Sequence, residues 1–225
     1  MDMTHFPLPI WFDLVATFLF AIAGTLLAIR KGYDIVGVFT VAFVSAVGGG
    51  LIRDGLFLQQ GPPVITTTGS YLLIIALGCI VGTLFQSTMN RLQFLIALFD
   101  ALGLGAYAIV GIEKAYVAGL AFPAMLLVGV VNAVGGGIFR DILTREEPML
   151  FRPGQFYVAV TFVGCLLFAT LITYKLMSNL QAGILTITLT FILRALAIRY
   201  NWKTTSLAEK NSDDTTLFPE TRHRS

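Results

Sequence analysis

A chain of 225 residues with 56% hydrophobic side chains, only 12% charged and a mean hydropathy of +0.80 is not an ordinary soluble domain, where about a quarter of residues are charged. The net charge of +2 says little by itself, and nothing in the chain points to a nucleic-acid partner. The only histidines, His5 and His223, lie near the termini, which excludes most histidine-based catalysis and metal binding, and no cofactor is expected.

Apolar windows of about 20 residues give seven candidate spans, at 10–29, 35–58, 70–89, 93–112, 118–144, 155–174 and 181–199. No Lys or Arg precedes the first span and no small-residue cleavage pattern follows it, so it reads as an ordinary membrane helix rather than a cleaved signal. It opens with Asp13 and is followed by Arg30 and Lys31. The second span carries Ser45, then Gly48-Gly49-Gly50-Leu51-Ile52-Arg53-Asp54, and ends before Pro62-Pro63. Cys79 lies in the third span and Asp100 in the fourth. The fifth carries Asn132, then Gly135-Gly136-Gly137-Ile138-Phe139-Arg140-Asp141, with Pro148 in the turn beyond. Cys165 lies in the sixth span; neither cysteine has a CxxC neighbour, so no disulfide or zinc framework is suggested. The seventh contains Arg194, read as snorkelling toward the cytoplasm, and a polar tail follows from about Asn201.

The glycine motif is half of a longer repeat. An offset of 87 residues aligns Asp13 with Asp100, Gly24 with Gly111, Gly32 with Gly119, Ser45 with Asn132, and Thr83-Leu84 with Thr170-Leu171, with no gap from the first span to the third. Each copy holds three spans, so the second enters the membrane from the opposite side. The expected fold is an all-α integral membrane protein: two inverted three-helix repeats, 10–89 and 93–174, then a seventh helix at 181–199. Residues 1–9 form a short N-terminal segment and 200–225 a C-terminal tail.

Three consecutive glycines weaken a helix by roughly 1 kcal/mol each relative to Ala. Kinking or partial unwinding at the triplets, freeing carbonyls toward a cavity, is the reading preferred here over close helix packing. Arg53 and Arg140 follow the glycines by three residues, and either line a pathway or snorkel to an interface. Ser45 and Asn132 either line a hydrated path or bond across helices.

Arg30, Lys31, Arg91, Arg145 and Arg152 all fall on the side opposite the N-terminus, and Arg199, Lys203 and Lys210 follow the last span. Lys114 and Lys175 are the main charges of the other face. The positive-inside rule places the N-terminus outside and the C-terminus in the cytoplasm of a cell (inner) membrane. In that topology Asp13 lies at the depth of Arg53, and Asp100 at that of Arg140, so two symmetry-related charge pairs are expected. Asp54 and Asp141 are the fallback partners, because adjacent helical residues point apart.

The double glycine-arginine-aspartate motif, the aspartate opening each repeat and the three-plus-three-plus-one spans resemble the prokaryotic members of the trimeric intracellular cation channel family, over about residues 10–199. Bacterial relatives also carry the description of a repeated glycine transporter domain. The resemblance implies a homotrimer in membrane lipid with a hydrated pore in each subunit between the repeats. Gly48, Gly49, Gly50, Arg53, Gly135, Gly136, Gly137 and Arg140 would shape that pore. Animal members are described as monovalent-cation channels, chiefly for potassium. Their lysine-containing lipid-binding motif is replaced here by glycines, leucine, isoleucine and Arg53. A secondary transporter of a small solute such as an amino acid, with the arginines holding a carboxylate, is the alternative. An enzyme is the weakest reading: Asp13 and Asp100 lie near opposite faces, and a phosphate loop would need GxxxxGK[ST] after a strand.

Overall fold

A computed structural model describes residues 8–87, 92–151, 156–200 and 202, and its described residues form an all-helical structure. The helices are α1 (Trp11–Arg30), α2 (Ile35–Ile52), α3 (Val64–Thr67), α4 (Ser70–Leu84), α5 (Leu92–Val117), α6 (Phe122–Leu143), α7 (Tyr157–Thr173) and α8 (Asn179–Arg199). A π-helical turn, Arg53–Leu58, extends α2, and a short 3-10 turn, Phe85–Ser87, ends α4. Among the described residues, five segments are long and apolar enough to cross a membrane: α1, Ile35–Leu58, α5, α6 and α8. The helices α4 and α7 are apolar but shorter. Arg91, Arg152, Lys203, Lys210, both histidines and nearly all of the expected tail lie outside the described residues.

Local sequence explains the helix ends. The carboxylate of Asp34 accepts a hydrogen bond from the Gly37 amide at 2.8 Å and caps α2. Ser178 and Gln181 form a capping box at the start of α8. The same C-terminal turn closes α1 and α5: Tyr33 N donates to the Ala28 carbonyl and Leu120 N to that of Ala115, with Gly32 and Gly119 both at φ +75°. These contacts are 87 residues apart, and the left-handed position is one that glycine takes without strain.

The expectation of a break at the glycines is corrected. Both triplets lie within continuous α-helix; α6 stays regular to Leu143, and in the first copy the helix changes only past the glycines, at the π turn that begins with Arg53. The glycines serve close approach instead. A Cβ on Gly49 would stand 2.0 Å from the Asn132 carbonyl oxygen, and one on Gly136 would stand 2.1 Å from that of Ser45. Gly24 likewise sits against Ala42 and Ser45, as Gly111 sits against Gly129 and Asn132. Every one of these contacts recurs at the 87-residue offset, so α1, α2, α5 and α6 pack as a self-matching quartet. In lipid there is little hydrophobic drive between helices, and small residues earn their place by letting backbones touch.

The outer helices depart from that match. The ungapped register expected through the third spans gives way to an offset of 86, at which Tyr71 aligns with Tyr157, Gly78 with Gly164 and Cys79 with Cys165. Gly78 faces Ala21 of α1, whereas Gly164 faces Thr190 of α8. The added helix α8 packs on both α5 and α7, and Gly105 makes room for it at Ile187.

Candidate functional site

Two buried clusters flank the glycine crossing. Arg53 and Arg140 are 2% and 1% exposed, so neither snorkels to an interface. Each reaches the aspartate that opens its own repeat: Arg53 Nη2 lies 3.5 Å from Asp13 Oδ2, and Arg140 Nη1 lies 2.8 Å from Asp100 Oδ1. Both expected pairs are therefore in place.

The neighbouring aspartates are primary partners, not fallbacks. Arg53 Nε donates to Asp54 Oδ1 at 2.6 Å and its Nη2 to Oδ2 at 3.0 Å, while Arg140 Nε donates to Asp141 Oδ1 at 2.9 Å. Adjacent Cβ atoms do diverge, but the arginine stem is long enough to fold its fork back over the next residue. The second oxygen of each aspartate then pins the following loop. Asp54 Oδ2 accepts from Val64 N at 3.2 Å, and Asp141 Oδ2 accepts from Met149 N at 3.1 Å.

Beyond this shared frame the two sites diverge. In the first cluster Tyr71 donates to Asp13 Oδ2 at 2.9 Å. Lys114 Nζ lies 3.8 Å from Asp13 and 3.6 Å from Asp54, with its side chain 30% exposed. Arg53 Nη1 also donates across the repeat boundary to Asn132 Oδ1 at 3.3 Å, and Asn132 Nδ2 donates to the Tyr107 carbonyl at 2.7 Å. The Tyr107 hydroxyl contacts Thr17 and donates to the Ala46 carbonyl, just before the glycines. A pocket of about 20 Å³, room for little more than one water, lies among Asp13, Gly50, Arg53 and Tyr107. A larger cavity of about 330 Å³ opens beside Asp54, Glu113 and Lys114.

The second cluster is sealed. Asp100 is 0% exposed, and the third glycine, Gly137, faces Tyr157, Asp100 and Arg140. Arg194 does not snorkel: it is fully buried, with its guanidinium carbon 4.8 Å from the centroid of the Tyr157 ring. Ser45, the counterpart of Asn132, is buried and its hydroxyl makes no hydrogen bond among the described residues.

Five contributors to the clusters escaped the sequence reading. Lys114 lies just past the expected end of the fourth span, which α5 overruns to Val117. Tyr71 and Tyr157 align only after a one-residue shift, Tyr107 falls opposite Phe20 in the repeat, and Arg194 has no counterpart at all. Among the described residues no group of three or more His, Cys, Asp or Glu converges as a metal site.

Comparison with known proteins follows the same duplication. The glycine transporter family model matches residues 10–87 and again 97–173. The chain is 32% identical over 199 residues to the inner membrane protein YadS of Escherichia coli, covering 88% of this chain and 95% of that one. It is 36% identical over 155 residues to a membrane protein of Deinococcus radiodurans, covering 68% and 72%. Crystal structures of the TRIC trimeric intracellular cation channel orthologue from Rhodobacter sphaeroides superpose with a TM-score of 0.79 at 28% identity, over 85% of this chain and 97% of that one. A prokaryotic TRIC channel crystal structure gives 0.77 at 29% identity, over 84% and 95%.

Proposed function

The chain belongs to the family of multi-pass membrane proteins that the glycine transporter model describes and that takes in the bacterial trimeric intracellular cation channels, and from that premise we propose that it is itself a cation channel, permeable to potassium. Each subunit of a homotrimer carries its own path between two inverted three-helix repeats, with α8 added. The path runs beside the α2–α6 glycine crossing, past Ser45 and Asn132, from the first cluster to the second. The N-terminus lies outside the inner membrane and the C-terminus in the cytoplasm.

One observation carries this reading. Unpaired arginines on a pathway would repel potassium, but here each faces two carboxylates. In the first cluster Arg53 and Lys114 balance Asp13 and Asp54. The arginines thus brace the helices around the crossing without presenting a net positive field to a cation. The same occupancy weighs against a transporter that holds a substrate carboxylate on Arg53 or Arg140, because those donors are already engaged. The purified chain in a planar bilayer tests the proposal: discrete unitary currents reversing near the potassium potential support it. Saturable flux that depends on counter-substrate, without unitary currents, overturns it.

A further inference from the structure

The two clusters have the same charge surplus and meet it from different places. With the aspartates as carboxylates and the arginines as guanidinium ions, Arg140 faces two anions, Asp100 and Asp141, leaving one negative charge over. The first cluster has the same surplus from Asp13 and Asp54, and Lys114 offsets it. The repeat cannot supply the second site in that way, since Leu27 stands 87 residues before Lys114. A cation does stand beside it, on the helix outside the repeat. Arg194 is buried in α8 against the Tyr157 ring, whose hydroxyl borders the same space beside Gly137 as Asp100 and Arg140. A unit charge at membrane depth persists only when countered, and Arg194 lies on the ring whose hydroxyl shares the space at Gly137 with Asp100.

We propose that Arg194 is the fixed counter-charge of the second cluster, a positioning residue that does there what Lys114 does in the first, and that it keeps a permeating monovalent cation from lodging beside Asp100. The oxygens such a cation would find are present: Asp100 Oδ2 and the Tyr157 hydroxyl are buried and make no hydrogen bond among the described residues. With Arg194 in place their surroundings are neutral. With it removed, they become an anionic pocket open to a monovalent cation. The division of labour also follows from burial, because Lys114 is part-exposed beside a cavity of about 330 Å³ while Arg194 is 0% exposed. The electrical arm of the test rests on the channel reading; the thermal arm does not.

The test compares the purified full chain with Arg194→Met, Arg194→Lys and the double variant Arg194→Met/Asp100→Asn, melting each in potassium chloride and in choline chloride. Arg194→Met should gain a potassium-specific rise in melting midpoint of about 2–4 °C, while wild type, Arg194→Lys and the double variant show none. In bilayers, Arg194→Met should pass unitary potassium currents about threefold smaller, because a cation that binds too well leaves slowly, and the double variant should restore them. If Arg194→Met does not fold, recovery of folded protein by the added Asp100→Asn supports the charge role, and failure of the double variant to recover overturns it. Equal potassium and choline midpoints in a folded Arg194→Met also overturn it. If wild type itself passes no current, the thermal comparison alone decides this inference, and the channel reading falls separately.

Discussion

The Arg53 and Arg140 clusters descend from one motif and occupy matching places in the repeat, yet they differ in what surrounds them. Arg53 is tied across the repeat boundary to Asn132 and shares its aspartates with a part-exposed lysine beside a cavity. Arg140 is held within its own repeat by Asp100 and Asp141, beside a Tyr157 ring that is covered by a buried arginine from α8. The π turn begins at Arg53, whereas the helix around Arg140 stays regular to Leu143. The duplicated residues build two braces from the same partners. The residues that were not duplicated, Lys114, Tyr107, Asn132 and Arg194, make one brace adjustable and the other fixed.

The strongest way to break this comparison is at the crossing, where the two halves should respond alike. Gly49→Ala and Gly136→Ala each place a Cβ about 2 Å from a backbone oxygen of the facing helix, which has no side chain to move aside. Both should lose more than about 3 kcal/mol, beyond the usual range for overpacking, and yield little folded protein on size-exclusion chromatography. A marked difference between them would mean that the quartet does not match itself.

The aspartates should respond unequally. Asp100→Asn leaves a sealed guanidinium half-paired and should destabilise by about 3 kcal/mol, the low end for breaking a buried ion pair. Asp13→Asn should lose only about 1–2 kcal/mol, because its contact with Arg53 is longer, at 3.5 Å, and Lys114 can turn its charge to solvent. Thermal unfolding of the two variants in the same detergent measures the gap, and equal losses would erase the distinction between a fixed and an adjustable site.

Smaller changes sharpen it further. Asn132→Ala removes a bond to a buried guanidinium and one to the Tyr107 carbonyl, and should lose about 2 kcal/mol. Ser45→Ala removes a hydroxyl that bonds nothing among the described residues and should stay within about 0.5 kcal/mol of wild type. At the third glycine, Gly50→Ala meets only Arg53 Nη2 at 3.6 Å and should gain up to about 1 kcal/mol of helix stability. Gly137→Ala meets the Tyr157 hydroxyl at 3.1 Å, which cancels that gain. Chemical-denaturant midpoints rank all four.

Much of this arrangement is legible in the chain. Apolar length locates the helices to within a few residues, five segments of them long and apolar enough to cross a membrane among the described residues, and the 87-residue repeat pairs each arginine with the aspartate of its own copy. The glycines mislead, since propensity in isolation says that three of them break a helix. The facing backbone, which sequence does not display, turns the same residues into a close contact within continuous helix. Asp54 and Asp141 mislead in a similar way, because helical spacing describes Cβ directions and not the reach of an arginine fork. Lys114 and Arg194 stay hidden for a third reason: the groups they meet, Asp13 and the Tyr157 ring, lie on other helices, and no repeat points to them.

The central claim is that the arginines on the path are charge-compensated, so that cations pass. Its most direct test is the reversal potential of wild type and Asp13→Asn in a potassium chloride gradient across a planar bilayer. Wild type should reverse near the potassium potential, and Asp13→Asn, which leaves Arg53 and Lys114 facing one carboxylate, should move toward the chloride potential. A wild-type reversal at the chloride potential, or a variant that does not move, would contradict the account.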